Sequence, residues 1–292
     1  MTSCRALVRS IHWRTRWRPL WLEGGSAMQT VTSADGTRIA FWKSGRGAPL
    51  LLVHGASASH ATTWRLVLPA LESRFTVYAM DRRGRGGSGD GADYHFQREA
   101  EDVAAVVDAI GGRVHVLGHS FGALCALEAA LLTPNVESLV LYEGVPLRGV
   151  DGYAPGTIDS LEARLAAADV EGMLVCMLRD VAALSPQDIE ALRSQPQAWQ
   201  TRLTIAPTIP RELRAEERYT FEPARFRALL ARTLLLVGGN SAAREMANAQ
   251  GVADGLARAS VGVLPGQEHI AMYTAPDQFV DAIADFLGDA AD

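Results

Sequence analysis

The chain has 292 residues, 48% of them hydrophobic and 21% charged, and a net charge of -5 at neutral pH. That length and apolar content allow one large core, or a core with an added helical layer. The acidic balance argues against nucleic acid or an anionic membrane surface as the main partner, and no apolar run approaches the ~20 residues that span a bilayer.

Three cysteines, Cys4, Cys125 and Cys176, are an odd number in a long chain and suggest no disulfide framework. Cys125 and Cys176 lie among apolar neighbours and read as core thiols, so a cytoplasmic location is the expectation. Residues 1–27 stand apart, with five arginines, three of the six tryptophans and a single acid, Glu23. They lack the continuous apolar stretch of a secretory signal. The segment from Met28 to Trp42 reads as a natural beginning, so a start at Met28, or a disordered extension before it, is expected.

Taken in order, residues 31–42 predict two strands joined at Asp35-Gly36. Residues 50–53 are wholly apolar, as a strand covered on both faces requires. A helical segment with Trp64, Leu68 and Leu71 follows, then a strand over 75–80. A helix over 96–110 places Ala100, Val103, Val107 and Ile110 on one face. A strand over 114–117 leads into a helix bearing Leu124, Leu127 and Leu131, and residues 139–142 form the next strand.

Alternation stops near Pro146. Helical periodicity replaces it, including 158–168, 170–184 and 186–194, with Met173, Met177 and Trp199 among the apolar residues. Alternation resumes with a strand over 233–238, a helix over 242–256, a strand over 261–264 and a helix over 276–287. The fold class is therefore α/β: a mostly parallel eight-stranded sheet covered by helices on both faces. Its core spans 28–145 and 224–292, with a helical lid over 146–223 inserted after the sixth strand.

Gly84-Arg85-Gly86-Gly87-Ser88-Gly89 satisfies G-x-G-x-x-G after a strand. A dinucleotide site also needs a helix N-terminus there, and Asp90 and Asp93 follow instead, so the stretch reads as a flexible loop. Gly118-His119-Ser120-Phe121-Gly122 is a different matter. It fits G-x-S-x-G between a strand and a helix, with Ser120 at the apex of a tight turn.

A serine hydroxyl needs a base within reach to act as a nucleophile. Of seven histidines, His12 lies in the extension, His54, His60 and His95 precede the turn, and His115 and His119 belong to the strand and turn. His269 lies just past the last strand, at the same carboxyl edge as the turn in a parallel sheet. It is the candidate base. No metal-ligand spacing appears, and no cofactor is called for.

Together these features resemble the α/β-hydrolase family over essentially 28–287. The resemblance rests on the His54-Gly55 strand exit, Asp81 to Ser88, the G-x-S-x-G turn, the helical stretch and the late histidine. It implies that Ser120 attacks a carbonyl and that His269 takes and returns its proton. It also implies that the backbone N–H groups of Ala56 and Phe121 form the oxyanion hole. His54 and Asp81 read as loop-shaping residues.

The chain departs from the family pattern at the acid. Members commonly place an aspartate past the seventh strand, where this sequence reads Gly238-Gly239-Asn240-Ser241, with Ser241 in the acid's place. Asn240 could orient an imidazole but not neutralise an imidazolium. Glu143, directly after the sixth strand, is favoured as the acid instead. Glu245 is expected on the following helix and pointing away, and Glu268 is expected to point away from the neighbouring ring.

The expected function is a serine hydrolase cleaving a small carboxylic ester or lactone through an acyl-enzyme. Perhydrolase, thioester and carbon–carbon bond hydrolase activities are alternatives on the same chemistry, and a non-catalytic ligand-binding protein is the alternative from another class. The partner is a small molecule in each case. A chain beginning at Met28 is expected to fold and melt as the full chain does, which circular dichroism and thermal unfolding check.

Overall fold

The computed structural model describes residues 28–288; residues 1–27 and 289–292, with the readings made above for Cys4 and the N-terminal extension, lie outside the described residues. Eight strands form one sheet: β1 (Met28–Thr32), β2 (Arg38–Gly45), β3 (Ala48–Val53), β4 (Phe75–Met80), β5 (Val114–His119), β6 (Val136–Tyr142), β7 (Arg232–Gly238) and β8 (Ala259–Leu264). Their order is β1-β2-β4-β3-β5-β6-β7-β8. Only β2 runs against its neighbours; the pairings from β4 through β8 are all parallel.

The apolar runs are explained by burial on both faces. In β3, Leu50 and Leu52 join a cluster with Trp64, Leu71, Phe279 and Ile283. Leu51 and Val53, pointing the other way, join Val103, Val107, Leu124 and Leu127. β7 repeats the pattern, with Leu234 and Leu236 on the first face and Leu235 and Val237 on the second. Each such side chain contributes about 1.5–3 kcal/mol, so neither face tolerates a polar residue at these positions.

After β3 come α1 (His60–Thr63) and α2 (Leu68–Glu72), of which α2 covers the first face; the second is covered by α3 (Phe96–Ile110) and α4 (Phe121–Ala129). Five helices then separate β6 from β7: α5 (Thr157–Ala166), α6 (Val170–Asp180), α7 (Pro186–Arg193), α8 (Pro196–Ile205) and α9 (Ile209–Glu217). After β7 come α10 (Ala243–Asp254), α11 (Ala271–Thr274) and α12 (Pro276–Gly288).

Helix α6 ends at Asp180 instead of running to 184. Ala183 is left-handed at φ 54°, and the Ser185 hydroxyl accepts from the Asp188 amide at 3.1 Å to cap a new helix with Pro186 in its first turn. Capping chemistry outweighed the continuing apolar period.

The loop that begins at Asp81 is pinned, including the Gly84–Gly89 stretch expected to be flexible. Arg82, Arg83 and Arg85 are almost wholly buried. Arg82 and Arg85 share Glu212 of α9 at 2.6 and 2.5 Å. Arg83 holds Asp102 at 2.7 Å and Asp35 at 2.9 Å. The Asp81 carboxylate accepts from the Gly87 and His60 amides, each at 3.0 Å. These partners are distant in sequence, which is why the loop looked unanchored there.

Because Glu212 belongs to the helical insertion, this buried junction ties the insertion to the sheet. Glu212→Gln leaves two buried guanidiniums short of a counter-charge and is expected to cost about 3–5 kcal/mol in denaturant unfolding. Asp90→Asn, which removes the partly exposed Arg211 pair, is expected to cost no more than about 1 kcal/mol.

Candidate active site

Ser120 sits between β5 and α4 with φ 54° and ψ −133°, a left-handed backbone that costs a non-glycine residue about 1–3 kcal/mol. Its neighbours compel the conformation. The Ser120 amide donates to the Tyr142 carbonyl at 2.9 Å, and its carbonyl accepts from the Ala123 amide at 2.7 Å. A side chain at Gly118 would come within 2.5 Å of the Ala123 Cα, and one at Gly122 within 2.4 Å of the Val53 carbonyl. Only glycine fits on either flank.

His269 lies in the loop after β8. Its Nδ1–H donates to Glu143 Oε2 at 3.0 Å, which leaves Nε2 with a free lone pair. The other carboxylate oxygen of Glu143 accepts from the Gly238 amide and the Ser241 hydroxyl, each at 2.6 Å. Burial alone would raise the Glu143 carboxyl. The bonds from His269, Ser241 and Gly238 outweigh it and hold the group below its ordinary value, so Glu143 is an anion at neutral pH. Ser241, standing where the family's acid usually stands, thus donates to the carboxylate reaching in from β6.

Two residues that the sequence did not single out as supports hold the His269 loop. His119 Nε2–H donates to the His269 carbonyl at 2.9 Å. Burial, then the neighbouring His269, pushes the His119 imidazole well below its ordinary range and keeps it neutral. The Tyr142 hydroxyl donates to the Glu268 carbonyl and accepts from the Ala271 amide at 3.3 Å. The one available signal for Tyr142 was its place, next to Glu143 at a strand end.

Ser120, His269, Glu143, Ala56 and Phe121 all line one cavity of about 210 Å³. The Ser120 hydroxyl is in no hydrogen bond among the described residues, so Ser120 and His269 share the cavity without being bonded to each other. The Ala56 and Phe121 amides likewise donate to no other backbone group among the described residues. Phe121 opens α4, where amides lack intrahelical partners and the helix dipole favours an anion. The loop bearing Ala56 is held from behind by Arg85 Nη2, 2.7 Å from the Ala56 carbonyl.

His54 and Asp81 stay outside the cavity wall. His54 Nδ1–H donates to the Gly55 carbonyl at 2.9 Å, and Nε2 accepts from the Arg82 amide at 3.2 Å. Glu245 corrects the expectation that it points away: it is on α10, yet it lines the cavity, paired with Arg244 at 2.9 Å. Glu268 lines it too, though the His269 ring bonds Glu143. Glu216 of α9, unnoticed in the sequence, faces the same space, and burial raises its carboxyl to about 7. No group of His, Cys, Asp and Glu among the described residues is arranged to hold a metal ion.

Comparison with known proteins agrees with this architecture. The chain is 33% identical to an alpha/beta hydrolase from Sphaerobacter thermophilus, with a TM-score of 0.77 over 89% of this chain and all of that one. It is 28% identical over 278 residues to a 2-hydroxymuconate semialdehyde hydrolase of a Pseudomonas species, covering 88% of this chain and 93% of that protein. It is 36% identical over 138 residues to the N-formylmaleamate deformylase of Pseudomonas putida, a match covering 44% of this chain and about half (51%) of that protein. The model of the alpha/beta hydrolase family matches residues 50–282. With its eight-stranded sheet and the turn at Ser120, this chain belongs to the alpha/beta hydrolase family.

Proposed function

We propose that the protein is a serine hydrolase acting on a small carboxylic ester or lactone, with Ser120 as nucleophile, His269 as base and Glu143 as the acid of the triad. The observation that carries this reading is the Glu143–His269 hydrogen bond at the wall of the cavity that also holds Ser120 and two unpaired amides. His269 Nε2 takes the Ser120 proton as the hydroxyl attacks the carbonyl carbon. The oxyanion forms against the Ala56 and Phe121 amides, and losing one such donor typically costs ~10²–10³ in turnover. His269 then protonates the leaving alcohol, and water attacks the acyl-enzyme with His269 as base. Ionised Glu143 stabilises the imidazolium in both halves.

The substrate class rests on the cavity. Its volume suits a small acyl group, and Val145, Met177, Leu184 and Leu213 supply apolar wall. Met177, Leu213 and Glu216 come from α6 and α9, so the insertion acts as the lid over residues 146–223. Relatives named as a methyl ester esterase, a deformylase and a semialdehyde hydrolase favour hydrolysis. Cys125 and Cys176 are buried free thiols, which suits a reducing cytoplasm, and no helix among the described residues is long and apolar enough to cross a membrane.

A fluorophosphonate is expected to label Ser120 stoichiometrically, with labelling abolished in His269→Ala. Absence of labelling, together with no turnover of short-chain aryl esters, would assign a ligand-binding protein instead. Glu143→Gln is expected to keep the fold and lower turnover by on the order of 10⁴, while Glu245→Gln and Glu268→Gln stay near wild type. The inverse ranking in steady-state kinetics would move the acid to one of those residues.

Stability should show the same carboxylate. The folded value of Glu143 is depressed, so its contribution is complete above the unfolded value and is lost as pH falls through the folded one. The wild type is therefore expected to lose more stability than Glu143→Gln as pH is lowered from neutrality through the carboxylate range, read by denaturant unfolding at each pH.

A further inference from the structure

A second, smaller cavity of about 50 Å³ adjoins the first and shares Ser120 and His269 with it. That is several times the ~10–15 Å³ one water needs, and matches a group of a few heavy atoms. Its wall shares Ala56, Ser120 and His269 with the larger cavity and adds Thr63, Arg202 and Tyr273. The two cavities differ in charge. Glu143, Glu216, Glu245 and Glu268 line the larger one, whereas no carboxylate lines the smaller.

Arg202 of α8 sets this cavity apart. It is only 5% exposed. Its hydrogen bonds run from Nη1, to the carbonyl and hydroxyl of Ser57, the latter at 3.3 Å, while its Nε is buried without a partner. Among the described residues no carboxylate pairs with it, although the buried Arg82, Arg83 and Arg85 each have one. A buried charge left without its counter-ion is costly. The bonds to Ser57 explain why Arg202 reaches this loop, but not why it lacks an anion. Thr63 Oγ1, on the same wall, is also buried without a hydrogen bond. His119 lines the cavity as well, but its Nε2–H is committed to the His269 carbonyl and its Nδ1 is an acceptor, so it offers an anion no donor.

We propose that the smaller cavity is an anion subsite, in which a carboxylate of the substrate supplies the counter-ion that Arg202 lacks. The Thr63 hydroxyl is the second donor. This deepens the reading of Ser120 as nucleophile and rests on it. Met177, Leu178 and Leu192 supply hydrocarbon wall. The substrate class that fits is a short-chain dicarboxylic acid monoester, its free carboxylate on Arg202 and its ester carbonyl at Ser120. A guanidinium favours carboxylate geometry over a point charge, so lysine is an incomplete replacement.

Mono-(4-nitrophenyl) glutarate and 4-nitrophenyl valerate test this, since they share leaving group and chain length and differ in the terminal carboxylate. The wild type is expected to prefer the glutarate ester. Arg202→Gln is expected to raise its KM by about tenfold or more while leaving the valerate ester within about threefold, and Arg202→Lys to recover part of the loss. An equal loss on both esters would make Arg202 only a brace for the Ser57 loop and overturn the subsite, as would a wild type with no preference. Should Arg202→Gln not fold, Thr63→Val is expected to give the same selective rise, and an unselective effect overturns the proposal. Calorimetric titration of Ser120→Ala with monomethyl glutarate separates the two readings. Heat that Arg202→Gln or Thr63→Val removes supports the subsite even if neither ester is hydrolysed, an outcome that would sink the hydrolase reading alone. No heat in Ser120→Ala overturns the subsite.

Discussion

The site depends on two neighbouring strand exits that turn back on each other in left-handed backbone. Ser120 leaves β5 at φ 54°, and Glu143 leaves β6 at φ 42°. The Ser120 amide is tied to the Tyr142 carbonyl, and the Glu143 amide to the Leu236 carbonyl of β7 at 3.2 Å. Between the two turns Gly144 packs so tightly that a Cβ there would lie 1.9 Å from the Ser120 carbonyl oxygen. Two strained residues at about 1–3 kcal/mol each are a substantial part of a typical stability of 5–15 kcal/mol. The sheet registers on both sides hold them in place. The strain puts a hydroxyl and a carboxylate at the same sheet edge with no flexible chain between them.

Everything else at that edge braces these two exits. Gly238 and Ser241 of the β7 exit bond the Glu143 carboxylate. The Asn240 amide bonds the Gln267 carbonyl at 2.8 Å, and Tyr142 and His119 hold the backbone on either side of His269. The ring is thereby oriented by groups from four strand exits. Little of the geometry depends on a mobile side chain.

Charge is sorted by depth and by cavity. Arg82 and Arg85 are matched by Glu212 and tie the helical insertion to the core, and Arg85 also bonds the Ala56 carbonyl. Four carboxylates line the larger cavity together with Arg244, which pairs with Glu245, while Arg202 lines the smaller one and has no carboxylate partner among the described residues.

By itself the sequence determined what local pattern can determine. The apolar runs at 50–53 and 233–238, the 3.6-residue period over 96–110 and the glycine-flanked Ser120 follow from near-neighbour sterics and burial, which are written along the chain. His269 was placed at the right edge because a parallel sheet puts all its strand exits on one side. Tertiary structure decided the rest. Which of Glu143, Glu245 and Glu268 meets the His269 ring depends on β6 lying between β5 and β7, and all three carboxylates reach the cavity wall. The Gly84–Gly89 stretch looked free because Arg85 within it, and Arg82 and Arg83 just before it, find Asp102 and Glu212 far along the chain. Arg202 shows the converse. Its missing counter-ion is a statement about every group that surrounds it, and so was visible only once the fold had brought those groups together.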